Sequence, residues 1–400
     1  MPRLGGAAIP MRNVEFTVGE AFTDCRPLMA YSETAVDFLV ALSTRLLRGA
    51  EARSYPDVAS FAYWCRRSSL YALKGKFPAG VRLGRGIAFH IAPSNIPVNF
   101  AFSFAFALLA GNANIVRVPS KSFPQVKIIT DAVRATLHGY PDLEHQNAFV
   151  SYSSSEEEVT RYFSSIADAR IIWGGDRTVG TIRSFPAKPR CVDIAFADRY
   201  SVTIIDGEAV LAATEETLGR LANDFYNDTF LMDQNACSSP SIVFWTHDSV
   251  PARTRFWEAA AVAAEKKYEL QPAVVMDKYL KLCEDLISQP GVADVKRMKN
   301  LIYRVSLSEL PEDVTALRGR GGYFYEYALA NLQELAPYIN EKFQTLSYFG
   351  LDPQALLQFV MERRLRGIDR IVPVGKAMDI GPHWDGFDLV ETLSRLVTAS

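Results

Sequence analysis

Several familiar kinds of functional site are excluded by what the sequence lacks. The five cysteines are odd in number and never form a C-x-x-C pair, so neither a disulfide framework nor a zinc site is predicted. They are Cys25, Cys65, Cys191, Cys237 and Cys283. The five histidines include no H-E-x-x-H or other ligand spacing, which argues against a metalloenzyme. We therefore expect no metal in the functional site.

An excess of charge and a long apolar run are also missing. The 43 lysines and arginines nearly balance the 45 aspartates and glutamates, so the formal net charge of -2 gives no general attraction to nucleic acid. The most apolar stretch, Phe100 to Ala110, is shorter than the roughly 20 residues that a membrane span needs, and a buried core helix is the better interpretation. The N-terminus has no apolar run behind a basic start, so we expect a cytoplasmic protein.

The common nucleotide-binding fingerprints do not occur either. In the segment LGRGIAF, Gly84 and Gly86 are followed by Phe89 where the third glycine of G-x-G-x-x-G would stand, and there is no P-loop. A nucleotide site in this chain must therefore differ from an ordinary dinucleotide-binding motif.

The hydrophobic pattern that is present predicts alternating helices and strands. Ser32 is predicted to cap a helix that ends at Gly49. A strand at GIAFHIAP, a helix across FAFSFAFALLA and a strand at NIVRVPS follow. A helix over 123–138, a strand at AFVSY, a helix with a capping box from Ser155 to Glu158 and a strand at RIIWGG continue the pattern. Such alternation predicts a mostly parallel sheet covered by helices on both faces.

A second set of elements follows the strands CVDIAF and YSVTIID. Thr214 is predicted to cap a helix that runs into DTFLMDQNACSSP and the strand SIVFW, and helices are predicted over 274–286 and 323–335. The length of 400 residues suits two domains. We place the first over 1–206, joined by part of the C-terminal segment 371–400, and the second over 207–370. No flexible linker marks the boundary.

Two segments, HIAPSNIPVNFAFSFAFALLAGNANIVRVPSK and DQNACSSP, stand out, and with them the sequence resembles the LuxC-type fatty acyl-CoA reductases of the aldehyde dehydrogenase superfamily. QTLSYFG and GIDRIVPVGKAMDIGPHWDGFDL extend the resemblance, which covers most of the chain from about Gly84 onward. It implies an aldehyde dehydrogenase-like α/β fold, with a nicotinamide cofactor bound by the first domain and a nucleophilic cysteine carried by the second.

The resemblance also implies two catalytic residues. Asn95, in PSNIP, matches the asparagine whose amide donates to the oxyanion formed on the substrate; without the resemblance it would be read as part of a turn between two prolines. Cys237 matches the nucleophile, and its small neighbours Ala236, Ser238 and Ser239 leave room for a substrate. A thiolate attacks a thioester readily and yields another thioester. The other four cysteines are expected to be apolar filler.

The cofactor residues are read from NIVRVPSK and IIWGGDRTVG. Arg117 and Lys121 lie at or next to positions where the superfamily holds the adenine ribose with a lysine and a glutamate. A second cation in place of the glutamate favours a 2'-phosphate, so the expected cofactor is NADPH. Gly174 and Gly175 match a glycine turn beside the cofactor, although Asp176 next to them would repel its pyrophosphate. The carried-over cofactor set is Pro93, Ser94, Arg117, Ser120, Lys121, Gly174 and Gly175.

Several departures from the superfamily bear on the reaction. The E-L-G-G segment, whose glutamate activates water in aldehyde-oxidising relatives, is replaced by VDIAFADRYS, and the nearest carboxylate, Asp193, is expected to be a strand-edge acid in solvent. This favours reduction. The Glu-x-Phe-Gly-Pro segment that holds the nicotinamide ribose has no clear counterpart in FQTLSYFG. Trp384, Asp385 and Gly386 match the reductases' own C-terminal block, in either a core or a substrate-facing role, and His90 is expected to be a hydrogen-bonded strand residue.

The predicted function is NADPH-dependent reduction of a fatty acyl thioester to the aldehyde through a thioacyl cysteine. The alternatives are an aldehyde-oxidising or acyl-phosphate-reducing member of the superfamily, or a scaffold that kept the fold and lost the chemistry. The resemblance implies an acyl-CoA or acyl-protein donor, a possible acyl-protein synthetase partner and a homo-oligomer, with no nucleic acid and no membrane span.

Overall fold

A computed structural model describes residues 13–93, 96–119 and 121–399 of the chain. Its α-helices are α1 (Glu33–Arg48), α2 (Ala50–Arg53), α3 (Pro56–Trp64), α4 (Arg67–Lys74), α5 (Asn99–Leu109), α6 (Pro124–Leu137), α7 (Pro141–Glu144), α8 (Glu157–Ile166), α9 (Asp176–Ser184), α10 (Gly207–Ala212), α11 (Glu215–Thr229), α12 (Val250–Lys267), α13 (Pro272–Ser288), α14 (Pro353–Arg363) and α15 (Leu389–Thr392). Short 3-10 helices lie at Phe230–Met232, Val314–Ala316 and Leu332–Tyr338.

The β-strands are β1 (Glu15–Val18), β2 (Val81–Gly84), β3 (Ile87–Ile91), β4 (Ala113–Arg117), β5 (Asn147–Ser151), β6 (Ala169–Trp173), β7 (Val192–Phe196), β8 (Tyr200–Asp206), β9 (Pro240–Thr246), β10 (Val292–Met298), β11 (Ile302–Leu307), β12 (Tyr323–Ala328), β13 (Phe343–Phe349), β14 (Arg370–Pro373), β15 (His383–Trp384), β16 (Phe387–Asp388) and β17 (Ser394–Val397). The described chain divides into two compact units. The first contains the residues up to Ala197 and those from Pro382 onward, and the second contains Asp198–Gly381.

The first unit is built on a six-stranded sheet in the order β1-β5-β4-β3-β6-β7. All of its strand pairs are parallel except β1 with β5. Counted along the chain from β3, the five parallel strands have the order 3-2-1-4-5, which is that of a doubly wound sheet. The alternation of strands and helices read from the sequence therefore produces the predicted parallel sheet.

Helix α5 is buried along its whole length in the first unit. The centroid of the Phe104 ring on α5 lies 5.0 Å from that of Phe149 on β5 and 6.2 Å from that of Phe38 on α1, and both contacts are edge-to-face. Helices that are apolar all round belong in a core, so the run from Phe100 to Ala110 is a core helix, as predicted. None of the described helices is long and apolar enough to cross a membrane.

The predicted helix caps have different outcomes. Ser32 Oγ accepts a hydrogen bond from the Ala35 N–H at the start of α1, as predicted. The capping box from Ser155 to Glu158 is wrong, because α8 begins at Glu157 with Glu156 in the capping position. The Ser155 hydroxyl is instead 2.8 Å from that of Ser153, in the loop before the helix.

A chain of polar side chains crosses the core of the first unit. Trp173 Nε1 donates to Ser103 Oγ at 3.2 Å, and Ser103 Oγ lies 2.8 Å from His90 Nδ1. His90 Nε2 lies 3.1 Å from Asn114 Oδ1, whose own amide nitrogen donates to Asn147 Oδ1 at 2.8 Å. Because the Asn114 oxygen can only accept, His90 carries its proton on Nε2 and receives the Ser103 hydroxyl at Nδ1. His90 is thus a hydrogen-bonded strand residue, as expected.

The second unit is built on a seven-stranded sheet in the order β10-β11-β12-β9-β8-β13-β14, in which only β10 is antiparallel to its neighbour. Strand β8 lies in the middle of this sheet, between β9 and β13. The sequence predicts that the first domain ends at residue 206, whereas the structure divides the chain between Ala197 and Asp198. The difference arises because β8 hydrogen bonds to strands that come later in the chain.

The helix predicted over 323–335 is wrong. Residues Tyr323–Ala328 form β12, and a 3-10 helix follows at Leu332–Tyr338. Tyr323 and Tyr325 pack into the core on one face of the sheet, while Phe324 packs into the core on the other. The side chains therefore alternate with the period of two that defines a strand, and aromatic residues suit such a surface.

Candidate functional site

The first unit gathers most of the predicted cofactor residues along one edge of its sheet. In a parallel sheet the carboxyl ends of neighbouring strands meet at the same edge, and ligands bind where the strand order reverses. Here the reversal lies between β3 and β6, which are hydrogen-bonded neighbours. Pro93 follows β3, Arg117 ends β4, and Gly174 and Gly175 follow β6. Ser94, Asn95 and Ser120 lie outside the described residues.

Gly174 and Gly175 connect β6 to the N-terminus of α9. A Cβ atom at Gly174 would lie 2.9 Å from the Thr178 side chain, so a larger residue would force the first turn of α9 to shift. A Cβ atom at Gly175 would meet nothing within 4 Å, so the backbone there is open to a ligand. The unpaired N–H groups at a helix N-terminus attract phosphate. Asp176, at the first position of α9, opposes that attraction as the sequence suggested.

Arg117 and Lys121 supply positive charge at the end of β4. Arg117 stacks over the Tyr152 ring, with its guanidinium carbon 4.5 Å from the ring centroid, and donates to the Tyr152 carbonyl oxygen at 3.3 Å. The Lys121 ammonium lies 5.1 Å from the centroid of Phe123 on an exposed stretch of chain. Stacking holds the guanidinium plane in place, so Arg117 can present an edge to a planar or anionic ligand.

The second unit carries Cys237 on the loop between α11 and β9. This loop contains two consecutive residues in the left-handed region, Asp233 and Gln234, with φ angles of 52° and 56°. The buried Gln234 side chain stabilises the turn: its amide nitrogen donates to the carbonyl oxygens of Pro240 and Tyr323, and its oxygen accepts from the Gly322 N–H at 2.7 Å. The cysteine loop is therefore attached to the beginning of β12.

Cys237 itself is half-buried and is contacted from two strands of the sheet. Ser201, on β8, donates its hydroxyl to the Cys237 carbonyl oxygen at 2.7 Å. Gln344, on β13, is fully buried, and its Nε2 donates to Cys237 Sγ at 3.3 Å. The thiol thus has a fixed main chain and an amide donor at its reactive atom.

Three of the other four cysteines have environments that disfavour the thiolate. Burial raises the pKa of Cys25 to about 11 and that of Cys191 to about 11, and it raises the pKa of Cys65 well above its usual value. Because the thiolate is the reactive form, these three thiols are poor nucleophiles. Cys237 remains the candidate.

A second loop, residues 374–381, borders the cysteine loop. Ser238 Oγ donates to Met378 Sδ at 3.4 Å. The buried Asp228 of α11 accepts from the Gly375 N–H at 2.6 Å and from the Ala377 N–H at 3.0 Å. Arg370 donates to the carbonyl oxygens of residues 376, 377 and 379. This loop belongs to the C-terminal block that carried the resemblance.

The carboxylate nearest to the missing E-L-G-G glutamate is held in an ion pair. Asp193, on β7, accepts two hydrogen bonds from the buried Arg170 guanidinium, at 2.6 and 2.7 Å. Asp198, the next carboxylate along the chain, lies 2.9 Å from Arg318. Asp193 is therefore a strand acid paired with a buried arginine, and not the solvent-exposed strand-edge acid that the sequence suggested.

The C-terminal residues Trp384, Asp385 and Gly386 form a tight turn between β15 and β16 in the first unit. Asp385 and Gly386 have positive φ angles of 49° and 76°, and Trp384 and Asp385 are buried. This favours the core role that the sequence left open.

Sequence reasoning missed several residues around Cys237. Ser201, Gln344, Arg370 and Asp228 come from four separate elements, and no local pattern connects them. Glu341 was also overlooked. It precedes Phe343 by two residues and so matches the first and third positions of Glu-x-Phe-Gly-Pro, and in the structure it is exposed and 3.4 Å from Arg366.

Solved structures similar to this chain include aldehyde dehydrogenases. 1-Pyrroline-5-carboxylate dehydrogenase from Thermus, with bound NAD, is 14% identical, with 91% of this chain and 80% of that chain covered and a TM-score of 0.63. Glyceraldehyde-3-phosphate dehydrogenase GapN from Methanocaldococcus jannaschii, complexed with NADP, is 14% identical, with 91% and 88% covered and a TM-score of 0.64. At such identity the likeness defines the fold class, an aldehyde dehydrogenase-like α/β protein, as predicted.

The family is defined by the sequence itself. Residues 79–399 match the model of the acyl-CoA reductase (LuxC) family. The chain belongs to this family and is an oxidoreductase, which confirms the resemblance drawn from PSNIP, DQNACSSP and the C-terminal block. No curated protein matches the sequence.

Proposed function

We propose that this enzyme reduces a fatty acyl thioester to the aldehyde with NADPH, through a thioester formed on Cys237. The observation that carries the proposal is the setting of Cys237: a half-buried thiol between small residues, with its carbonyl fixed by Ser201 and an amide donor at its sulfur. A nucleophile needs such a defined position and a group that favours its charged form.

In the first half-reaction the Cys237 thiolate attacks the carbonyl carbon of the acyl thioester. The new C–S bond to Cys237 forms, the bond to coenzyme A breaks, and the coenzyme A thiolate leaves and takes up a proton. The negative charge on the carbonyl oxygen needs a donor, and we assign this role to the Asn95 amide and the Cys237 backbone N–H. The Asn95 assignment rests on the resemblance.

In the second half-reaction the thioester on Cys237 becomes an aldehyde. A bound nicotinamide cofactor would supply a hydride to the carbonyl carbon. The resulting oxyanion collapses, the C–S bond breaks, and Cys237 leaves as a thiolate while the aldehyde is released. The acyl group is thereby reduced by two electrons, and the enzyme returns to its starting state.

The same geometry disfavours hydrolysis of the thioester. An aldehyde-oxidising enzyme hydrolyses this thioester, and for that step it needs a carboxylate that can accept a proton from water. In the stretch that replaces E-L-G-G, the Asp193 oxygens accept from Arg170, and Asp198 is paired with Arg318. Because both carboxylates are engaged by guanidinium groups, we assign neither of them as the base for a deacylating water, and the acyl enzyme persists long enough to be reduced.

The first unit suits a dinucleotide cofactor. Its sheet has the doubly wound order, and the open backbone at Gly175 lies at the N-terminus of α9, where a pyrophosphate can be bound. Arg117 ends β4, the strand next to β3, and Lys121 follows four residues later; these two cations favour the 2'-phosphate of NADPH over the hydroxyl of NADH. We assign Pro93, Ser94 and Ser120 to the same site on the resemblance.

The natural acyl donor is proposed to be acyl-CoA or an acyl-protein. The resemblance points to a long fatty chain, with an acyl-protein synthetase as a candidate supplier and a homo-oligomer as the working assembly. Each of these stays a prediction.

The decisive experiment is intact-mass analysis of the protein after incubation with tetradecanoyl-CoA, before and after NADPH is added. The wild type should gain the mass of one acyl group and lose it as aldehyde with NADPH, whereas Cys237→Ala should gain none. Cys283→Ala is the matched control and should behave like the wild type.

Three other outcomes would contradict the proposal. No adduct with acyl-CoA donors of several chain lengths would favour the scaffold. Steady oxidation of an aldehyde without coenzyme A would favour an aldehyde-oxidising member of the superfamily, and adduct formation only from an acyl phosphate would favour the phosphate-dependent one.

A further inference from the structure

Gln344 contacts the sulfur atom on which the proposed chemistry takes place. It lies on β13, is fully buried, and donates from Nε2 to Cys237 Sγ at 3.3 Å. Gln344 thus places an amide donor at the candidate nucleophile from a strand that is distant from Cys237 in the sequence.

The orientation of the Gln344 amide follows from its neighbours. Arg370 Nη1 donates to Thr345 Oγ1 at 3.4 Å, and a guanidinium can only donate. The Thr345 hydroxyl therefore directs its own proton elsewhere, and Gln344 Oε1 lies 3.3 Å away to accept it. With its oxygen occupied by a donor, Gln344 presents its NH₂ group to Cys237. The three residues form a relay from the Arg370 cation to the thiol.

The backbone keeps the relay in register with the nucleophile. Thr345 pairs with Arg370 across the parallel strands β13 and β14. The Thr345 N–H donates to Ser201 Oγ at 3.2 Å, and the same hydroxyl donates to the Cys237 carbonyl oxygen at 2.7 Å. Residues 344 and 345 therefore fix Cys237 through its main chain as well as its side chain.

We propose that Gln344 is a catalytic residue that stabilises the Cys237 thiolate, and that Thr345 and Arg370 are the positioning residues that aim its amide at the sulfur. The inference rests on the proposed function only for its consequence in catalysis. A hydrogen bond to a charged acceptor favours the charged form, so the donor increases the fraction of thiolate at neutral pH.

In both half-reactions this donor stabilises negative charge on Cys237 Sγ. Before acyl transfer it stabilises the attacking thiolate. When the oxyanion collapses after reduction, the C–S bond breaks and the electron pair returns to Cys237 Sγ, so a donor at that atom stabilises the leaving group. Removing the donor should therefore slow aldehyde release as well as acylation.

The first test measures the thiol without any substrate. Alkylation of Cys237 by iodoacetamide is followed against pH by peptide mass mapping, in the wild type and in Gln344→Met, with Cys237→Ala as the blank. Gln344→Met keeps the side-chain volume and loses the donor. We expect the rate at pH 7 to fall about tenfold and the midpoint of the pH profile to rise by about one unit, while the rate at high pH stays near that of the wild type.

Several results would overturn the inference. An unchanged midpoint would exclude a donor effect on the thiolate, and an equal loss at every pH would mean that Gln344 only supports the fold. The matched control is Gln358→Met, on the exposed face of α14, and it should leave the profile unchanged. If Gln344→Met does not fold, the same alkylation profile measured in Thr345→Val tests the inference. It should move the midpoint in the same direction by a smaller amount, and a wild-type profile would refute the relay.

A second measurement connects the thiol to the reaction. Single-turnover acylation by tetradecanoyl-CoA and aldehyde release with NADPH should both slow by about tenfold in Gln344→Met at pH 7. If the wild type forms no acyl adduct, the proposed function fails but the alkylation profile still decides the role of Gln344. If the wild type is acylated and Gln344→Met matches it in both steps, the catalytic role fails alone.

Discussion

Arg304 and Glu326 form a fully buried ion pair in the second unit, with an Arg304 Nη2 to Glu326 Oε2 distance of 2.9 Å. Trp245 and Trp257 both donate their Nε1–H groups to the other oxygen of Glu326, at 2.9 and 2.7 Å. The carboxylate is thus compensated on both oxygens. Because burying an ion is costly, the pair stabilises the unit only while both partners are present.

Replacing Arg304 should therefore be far more damaging than replacing a surface arginine. We expect Arg304→Met to lower the free energy of unfolding by about 3–5 kcal/mol, since it leaves a buried carboxylate without its cation. Arg366→Met, which removes an exposed pair with Glu341, should cost less than about 1 kcal/mol. Chemical denaturation followed by circular dichroism measures both. A loss below about 1 kcal/mol in Arg304→Met would show that the tryptophan donors suffice.

The proposed cofactor preference makes Lys121 a test of charge. Lys121→Glu restores a carboxylate, which would repel a 2'-phosphate and accept from a ribose hydroxyl. We expect the ratio of kcat/KM for NADPH to that for NADH to fall by about tenfold to a hundredfold. Lys76→Glu, at an exposed site in the same unit, should leave the ratio unchanged. If Lys121→Glu leaves the ratio unchanged, Lys121 does not set the cofactor preference: either Arg117 sets it, or the enzyme does not prefer NADPH.

Site residues that lie inside a continuous motif could be predicted from the sequence. Those that are distant in the sequence and are brought to the site by strand pairing could not. Cys237 was found because DQNACSSP is a local pattern. Gln344 is separated from Cys237 by 107 residues, and their contact exists only because β13 lies next to β8 in the sheet. Arg170 and Asp193, which form an ion pair, likewise meet through the register of β6 with β7.

Two N–H groups of the loop over residues 374–381 donate to one buried carboxylate, that of Asp228. Burial raises the pKa of Asp228 to about 7, although the N–H groups of Gly375 and Ala377 act in the opposite direction. In the unfolded chain the same group titrates near about 3.9. Between these values the folded state binds more protons than the unfolded state, so this group makes the second unit less stable as the pH rises from about 4 to about 7.

Asp228→Asn should remove that dependence. The amide does not titrate, so the free energy of unfolding of the variant relative to that of the wild type should rise by up to about 4 kcal/mol between pH 4 and pH 8. A loss that is the same at every pH is added to this change, because the amide nitrogen cannot accept one of the two N–H bonds that the carboxylate accepts. Denaturation at a series of pH values tests this, with Asp277→Asn, at an exposed position on α13, as the control. A constant difference between variant and wild type would show that Asp228 stays ionised throughout.

Elements were predictable where the pattern of apolar residues had one interpretation. Helix α11 begins at the predicted cap, with Thr214 Oγ1 accepting from the Thr217 N–H at 3.2 Å. Strand β12 lies in a segment that the sequence predicts to be helical. Its run of tyrosine and phenylalanine is apolar on both faces, as in the central strands of a parallel sheet, so the hydrophobic pattern has no clear period that would distinguish a strand from a helix. Ser155 resembled a cap, but its hydroxyl is bonded within the preceding loop.

The two units should respond to acid in opposite directions. Burial lowers the pKa of His90 in the first unit to about 4, below its value of about 6.5 in an unfolded chain. The unfolded state then binds more protons, and this group's contribution to stability is lost as the pH falls from about 6.5 toward 4. Asp228 contributes the reverse in the second unit. From pH 7 to pH 5, each effect amounts to about 2 kcal/mol.

Hydrogen exchange measured by mass spectrometry can follow both units in one sample. Between pH 7 and pH 5, after correction for intrinsic rates, peptides of β3 and β4 should lose protection relative to peptides of β8 and β9. His90→Gln should abolish the change in the first unit and leave the second as it was, and Asp228→Asn should do the converse. Parallel changes in both units would mean that other groups dominate their acid response.

The two indole rings that donate to Glu326 also provide a fluorescent reporter for the second unit. Trp245 and Trp257 are fully buried and are the tryptophans of the second unit; Trp64, Trp173 and Trp384 belong to the first. A protein in which the three tryptophans of the first unit are replaced by phenylalanine would fluoresce from the Glu326 cluster alone. Its emission would shift to longer wavelengths when the second unit opens, so the natural positions of the tryptophans give each unit an optical signal of its own.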